Sequence, residues 1–312
     1  MYRERYKKTG KKSHKPNKTL YHRGCKDQFG NTFYKGKYMD TQQAMNQIPS
    51  PKPKDSVIVV KNLYKIYKLG EERVRALNGV SFEIGRGEFC AIVGTSGSGK
   101  STLLNMLAGL EKPTKGEIIL EGTHIEKKNE NQLVAFRRKH VGFIFQAYDL
   151  LPSLTALENV ALPLSFQGIR KKERNARADK MLEMVGLQKY KKHKPTQMSG
   201  GQQQRVGMAR ALVVRPDIIF ADEPTGNLDS VTSEEMMHLM QSVVRKKGQT
   251  LVMVTHDDHL ASYADRIIRI QDGKILSNTL KERQEEDEEK TVAPGDPGEQ
   301  DGTEAPAEKQ GS

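Results

Sequence analysis

Tryptophan is absent from these 312 residues, cysteine occurs twice, and aromatic residues make up only 6%. Two cysteines, Cys25 and Cys90, cannot build a disulfide framework. Cys25 falls in a polar arm and Cys90 in an apolar run, so no pair is expected, and the chain suits a reducing compartment. No apolar run approaches the roughly 18–20 residues that a membrane-crossing helix needs. Any work at a membrane is therefore expected to go through a partner. The first residues are charged and lack the apolar stretch of a secretory signal, so none is expected. No internal repeat is visible.

Hydrophobic residues are also scarce, at 36%, and the shortage lies at the ends. Residues 1–55 hold 14 Lys/Arg against 4 Asp/Glu, and residues 281–312 hold 11 Asp/Glu against 4 Lys/Arg. Neither end can bury enough apolar surface to offset the entropy of ordering it. The expected organisation is a basic, mostly disordered arm (1–55), a folded domain (56–280) and an acidic disordered tail (281–312). The formal net charge of +12 fits an anionic ligand.

Within the folded region, Val57–Val60 and the alternating run Leu77–Ile84 predict a small antiparallel sheet. Glu117–Leu120 and Val141–Phe145 look like further strands. Phe89–Val93, Asp217–Ala221 and Leu251–Val254 are short continuous apolar runs, as strands of a parallel sheet covered on both faces would be. Helical spacing appears at Ser101–Leu110 and Ser233–Lys246. Between about residues 149 and 210 the pattern is helical, at Leu157–Leu164 and Lys172–Val185, with no buried strand. The fold class expected is α/β: a parallel-sheet core, a small antiparallel subdomain and a helical insert.

The apolar run Phe89–Val93 leads into Gly94-Thr95-Ser96-Gly97-Ser98-Gly99-Lys100-Ser101, with Thr102 next. The spacing is that of a phosphate-binding loop, in the required context of strand before and helix after. Glycines let backbone N–H groups point at phosphate oxygens, and the following helix adds its positive end. Lys100 is expected to contact the β- and γ-phosphates and Ser101 to ligate Mg²⁺. Asp222-Glu223 follows an apolar strand, at the sheet edge where open parallel sheets bind ligands. Asp222 is expected in the Mg²⁺ shell, and Glu223 beside the attacking water as general base. His256 follows the strand Leu251–Val254 and is placed to hold that water and Glu223. A zinc site from His256 and His259 is disfavoured, with no cysteine partner nearby. Gln146, closing Val141–Phe145, could reach Mg²⁺ or the water. Tyr67, rather than Tyr64, is the preferred platform for a purine ring. Ser199-Gly200-Gly201-Gln202 starts another helix and forms a second anion site. Two phosphate-binding helix starts in one chain point to a nucleotide clamped between two copies, head to tail.

With these motifs in place, the chain resembles the ATP-binding subunits of ATP-binding-cassette (ABC) transporters, over about 56–280. The resemblance assigns an A-loop aromatic (Tyr67), Walker A (Gly94–Ser101), Q-loop (Gln146), ABC signature (Ser199–Gln202), Walker B (Ile218–Glu223), D-loop (Gly226-Asn227-Leu228-Asp229) and switch histidine (His256). It implies a P-loop NTPase with a RecA-like core and an ABC-specific helical subdomain. Met198 stands where the family most often has leucine. The segment Gly142–Gln146, Leu150-Leu151-Pro152, Leu154–Val160 and Leu162-Pro163 looks like the MacB/LolD-like group of macrolide export and lipoprotein release, to which FtsE is related. That resemblance implies an ATPase using ATP and Mg²⁺, working as a homodimer. It also implies a permease of the FtsX/MacB type, and a cytoplasmic, peripheral location on the inner face of the cell membrane. Nucleic acid is not an expected partner. The basic arm departs from the usual pattern and keeps open two alternatives: a soluble ABC ATPase acting on nucleic acid or the ribosome, and an ATP-dependent regulatory scaffold of a membrane complex.

Overall fold

The computed structural model describes residues 55–147 and 149–281, together with Cys25–Lys26 and Thr32–Phe33. Contacts divide the chain into two units, Met1–Gln47 and Ile48–Ser312. In the first, strands β1 (Cys25–Lys26) and β2 (Thr32–Phe33) pair antiparallel. The expectation of disorder at both ends otherwise concerns residues outside the described ones.

The second unit is built on a six-stranded sheet. In chain order its strands are β5 (Phe89–Val93), β8 (Val141–Ile144), β9 (Ile218–Asp222), β10 (Thr250–Thr255), β11 (Arg266–Gln271) and β12 (Lys274–Leu280). In space they run β12-β11-β5-β10-β9-β8, all neighbours parallel except the antiparallel edge pair β11–β12. Alternation along β5 feeds two separate cores. Phe89, Ala91 and Val93 enter one; Cys90 and Ile92 enter the other. Both faces are covered, which is why β5 is apolar throughout.

A four-stranded antiparallel sheet shares the Cys90/Ile92 core. It consists of β3 (Ser56–Leu69), β4 (Glu72–Gly85), β6 (Lys115–Leu120) and β7 (Thr123–His124), in the order β4-β3-β6-β7. Helix α1 (Lys100–Leu107) inserts Leu103, Leu104, Met106 and Leu107 into this core, and α2 (Glu130–His140) adds Leu133 and Phe136. The opposite core takes α3 (Ala156–Phe166), α4 (Lys171–Met184), α5 (Gly200–Leu212) and α6 (Ser230–Lys247). A short α7 (Asp258–Ala261) follows β10. Helices α3 and α4 and the start of α5 make up the helical insert expected between residues 149 and 210.

Several elements differ from the sequence expectation. The hairpin β3–β4 is far longer than the two runs that announced it, at 14 residues per strand. Its outer half mixes Lys65, Lys68, Arg73 and Arg75 with Tyr64, Ile66 and Tyr67 and is at most half-buried, so it carries no continuous apolar signal. Helix α2 and strands β11 and β12 were not expected. Among the described residues, no helix is long and apolar enough to cross a membrane.

Candidate functional site

Four parallel strands end on one edge, and each hands over to a predicted site residue. β5 leads into Gly94, β8 into Phe145 and Gln146, β9 ends at Asp222, and β10 leads into His256. Register fixes their proximity: Thr255 of β10 pairs with Val93 of β5, and Val254 pairs with Asp222 of β9. This edge is where an open parallel sheet receives ligand.

The glycine loop is held from outside. A Cβ on Gly94 would overlap the Ile270 carbonyl oxygen, and one on Gly99 would overlap that of Ala76. Gly97, at φ +78°, has nothing within 4 Å of the same position. Ala76 has no partner in the β3–β4 ladder, because the register shifts between Lys65 and Ile66. That bulge delivers its carbonyl to the phosphate loop. Lys100 Nζ donates to the Thr95 carbonyl 2.8 Å away, and the ammonium is nearly buried. Ser98 Oγ is buried without a hydrogen-bond partner, a polar atom the loop itself leaves unsatisfied.

Ser101 Oγ donates to Asp222 Oδ1 at 3.4 Å. Burial, then the charge of Glu223, push the Asp222 carboxyl above its ordinary range, while Ser101 and Lys100 oppose them. A desolvated carboxylate beside a hydroxyl is a hard oxygen pair that suits Mg²⁺, which takes few protein ligands and completes its octahedron with water and phosphate. Among the described residues no group of three or more His, Cys, Asp or Glu side chains converges as a metal site.

Glu223 adopts φ +40°, an uncommon conformation for a residue with a side chain. Its N–H donates to the Val254 carbonyl at 3.0 Å, and its Oε1 lies 3.1 Å from His256 Nδ1. His256 is 65% exposed and Glu223 23%, so the pair reaches solvent just beyond Asp222. They line a cleft of about 330 Å³ together with Thr225, Gly226, Ser233 and His259. Gln146 is exposed, and its amide Nε2 would lie 2.9 Å from a Cβ on Gly226, while its carbonyl accepts from Asn227 Nδ2 at 3.0 Å. Gln146 is thereby packed on the Gly226-Asn227 segment. Asp229, just beyond that segment, caps α6 by accepting from the Thr232 N–H at 3.0 Å.

Tyr67 is half-buried near the end of β3, its Oη donating to Glu111 Oε2 at 2.8 Å. Burial raises its phenol above the ordinary value and the Thr102 hydroxyl counteracts this. Tyr64 instead turns its hydroxyl onto Gly79, so of the two it is Tyr67 that reaches Glu111, in the loop after α1.

Ser199 caps α5. It accepts from the Gln202 N–H at 3.3 Å, and the Gln202 amide oxygen returns to the Ser199 N–H at 3.0 Å, a capping box. A cleft of about 430 Å³ opens there, lined by Ser199, Gly200, Gly201, Arg205, Asn227 and Asp229 among others. None of the glycine-loop residues lines it. The two predicted anion sites thus stay apart within one chain.

Two buried polar side chains have structural roles that the sequence motifs did not show. Gln204 is fully buried, and its amide donates to the Pro224 carbonyl, tying α5 to the loop after Asp222-Glu223. Asn159, also fully buried, accepts from the Leu151 N–H at 2.8 Å and donates to the Leu151, Leu154 and Thr155 carbonyls, shaping the loop before α3. Polar residues inside amphipathic helices give no signal of being buried.

Comparison with known proteins agrees with this geometry. A family model described as ABC transporter matches residues 77–226. An uncharacterized ABC transporter ATP-binding protein of Thermotoga maritima is 50% identical over 219 residues, covering 70% of this chain and 93% of the relative. The macrolide export ATP-binding/permease protein MacB of a Shewanella species is 48% identical over 222 residues, 71% of this chain but only 34% of MacB. Among solved structures, the ATP-binding cassette MJ0796 of Methanocaldococcus jannaschii, a dimer in a post-hydrolysis state bound to ADP and Pi, aligns with a TM-score of 0.68 and 44% identity, covering 73% of this chain and all of that one. Phosphate loop, Asp222-Glu223 edge and separate Ser199 cap all lie in the matched region, and the chain belongs to the ABC transporter family of ATP-binding proteins.

Proposed function

We propose that this chain is the ATP-binding and ATP-hydrolysing subunit of an ABC transporter, and that it works as a head-to-tail homodimer driving a membrane permease. The observation that carries the reading is the shared sheet edge: the glycine loop, Asp222 3.4 Å from Ser101, and Glu223 3.1 Å from His256. Phosphoryl transfer needs positioning and charge compensation more than covalent chemistry, and this edge supplies both. Gly94 to Thr102 cradle the phosphates, with Lys100 exchanging the Thr95 carbonyl for phosphate oxygens. Tyr67 carries the adenine. Ser101 and Asp222 would hold Mg²⁺, with Gln146 as a further candidate ligand, and the ion would neutralise charge on the phosphate oxygens. Glu223 takes a proton from the attacking water and His256 orients both. Ser199, Gly200, Gly201 and Gln202 of the second copy complete the site.

The dimeric state of the MJ0796 cassette and the separation of the two anion sites support the pairing. The similarity to MacB supports a permease of the FtsX/MacB type, with the subunit on the cytoplasmic face of the membrane beside it. The test is Glu223→Gln. This variant is expected to bind ATP with near-normal affinity while turnover falls by about 10²-fold or more, the scale of general-base loss. Normal turnover would remove Glu223 from that role.

A further inference from the structure

The phenol of Tyr67 is held by a small, half-buried network. Glu111 uses both carboxylate oxygens: Oε2 accepts from Tyr67 Oη at 2.8 Å and Oε1 binds Lys65 Nζ at 2.7 Å. Lys65 also donates to the Lys112 carbonyl at 2.8 Å. The pair is well shielded, with side chains 14% and 27% exposed. Lys65 Nζ sits 5.0 Å from the Tyr67 ring centroid. Lys65 and Tyr67 are two apart on β3 and share a strand face, so the ammonium lies against one side of the ring. The loop that carries Glu111 is itself stapled to β3: the Thr114 N–H donates to the Tyr64 carbonyl at 2.9 Å, and the Ile66 N–H to Thr114 Oγ1 at 3.0 Å.

We propose that Glu111 and Lys65 are positioning residues for the nucleotide base: they fix the Tyr67 ring in one orientation, with one face occupied by the Lys65 ammonium and the other free for a purine. The inference rests on Tyr67 being the base platform. A ring held in advance loses no rotamer freedom on binding, so the network acts on affinity rather than on the chemical step. Inorganic polyphosphate has no base to place on the ring, so the network acts on nucleotide binding and leaves phosphate binding itself untouched.

The experiment measures ATP KM and kcat, and inhibition by inorganic tripolyphosphate, for the full chain and for Tyr67→Ala, Glu111→Ala, Glu111→Gln and the Tyr67→Ala/Glu111→Ala double variant. Tyr67→Ala is expected to raise KM about tenfold or more, the scale of a lost base–aromatic stack. Glu111→Ala is expected to raise KM about three- to tenfold with kcat within about twofold, since it frees the ring and scatters the cation over it. Glu111→Gln keeps an acceptor for the phenol but loses the ion pair, and falls between. The tripolyphosphate inhibition constant stays at the wild-type value throughout, and Glu111→Ala adds nothing in the Tyr67→Ala background. A normal KM in Glu111→Ala alongside a raised KM in Tyr67→Ala would overturn the positioning role alone. A normal KM in Tyr67→Ala would overturn the platform itself. Weakened tripolyphosphate inhibition in Glu111→Ala would mean that the residue acts through the phosphate loop, which also overturns the proposal.

Discussion

Two glycines of the phosphate loop separate what the fold demands from what the ligand demands. Gly97 and Gly99 both have positive φ, +78° and +100°. A Cβ on Gly97 meets nothing within 4 Å, whereas one on Gly99 overlaps the Ala76 carbonyl and lies 2.9 Å from Leu77 Cδ2. Gly97→Ala therefore carries only the left-handed backbone cost, about 1–2 kcal/mol. Gly99→Ala adds overpacking against backbone, about 1–3 kcal/mol more. At roughly 2–4 °C per kcal/mol for a domain of this size, Gly97→Ala lowers the melting temperature by about 2–8 °C. Gly99→Ala lowers it by about 4–20 °C. Both are expected to weaken ATP binding by about tenfold or more, because the space open beside Gly97 is where phosphate oxygens enter. The assay is thermal unfolding alongside equilibrium ATP binding. A Gly97→Ala protein that binds ATP normally would refute the cradle. A Gly99→Ala protein as stable as Gly97→Ala would refute the contact with the β3–β4 bulge.

Other expectations follow from buried charge. Arg266 is fully buried, its Nε donating to Glu88 Oε2 at 2.8 Å and its Nη1 to Asn278 Oδ1 at 3.0 Å. Glu88→Ala removes the carboxylate that the buried guanidinium contacts and is expected to cost about 3–5 kcal/mol by urea denaturation; a cost below 1 kcal/mol would mean the pair adds nothing. Asp222 is an acid raised above its unfolded value, so the fold loses stability as pH rises through the folded value. Asp222→Asn is expected to raise the melting temperature at neutral pH without Mg²⁺-nucleotide. The gain vanishes below the unfolded carboxylate's value of about 3.9. A lower melting temperature at neutral pH would contradict the burial argument.

The parts of the fold that were legible are those whose pattern is local. β5, β9 and β10 announce themselves by unbroken apolar runs, and the glycine loop by fixed spacing between strand and helix. Ser199 and Gln202 form a cap whose two hydrogen bonds span three residues. What escaped is non-local. The β3–β4 hairpin continues through the exposed Lys68, Arg73 and Arg75, where backbone pairing and not burial keeps the strands together. β11 carries Arg266 at a fully buried position, and its charge hides the strand. Tyr67 is legible as an aromatic ahead of the phosphate loop, but Glu111, which its phenol contacts, lies 44 residues away and no spacing rule links them.

The central claim is that Lys100 and Ser199 belong to one catalytic site only when they come from different chains. Lys100→Ala and Ser199→Ala proteins are each expected to hydrolyse ATP at a small fraction of the wild-type rate. Mixed in equal amounts, half of randomly formed pairs are mixed, and each carries one intact site, so turnover per chain is expected to recover to about a quarter of wild type. A mixture no more active than the average of its two components would contradict the shared site.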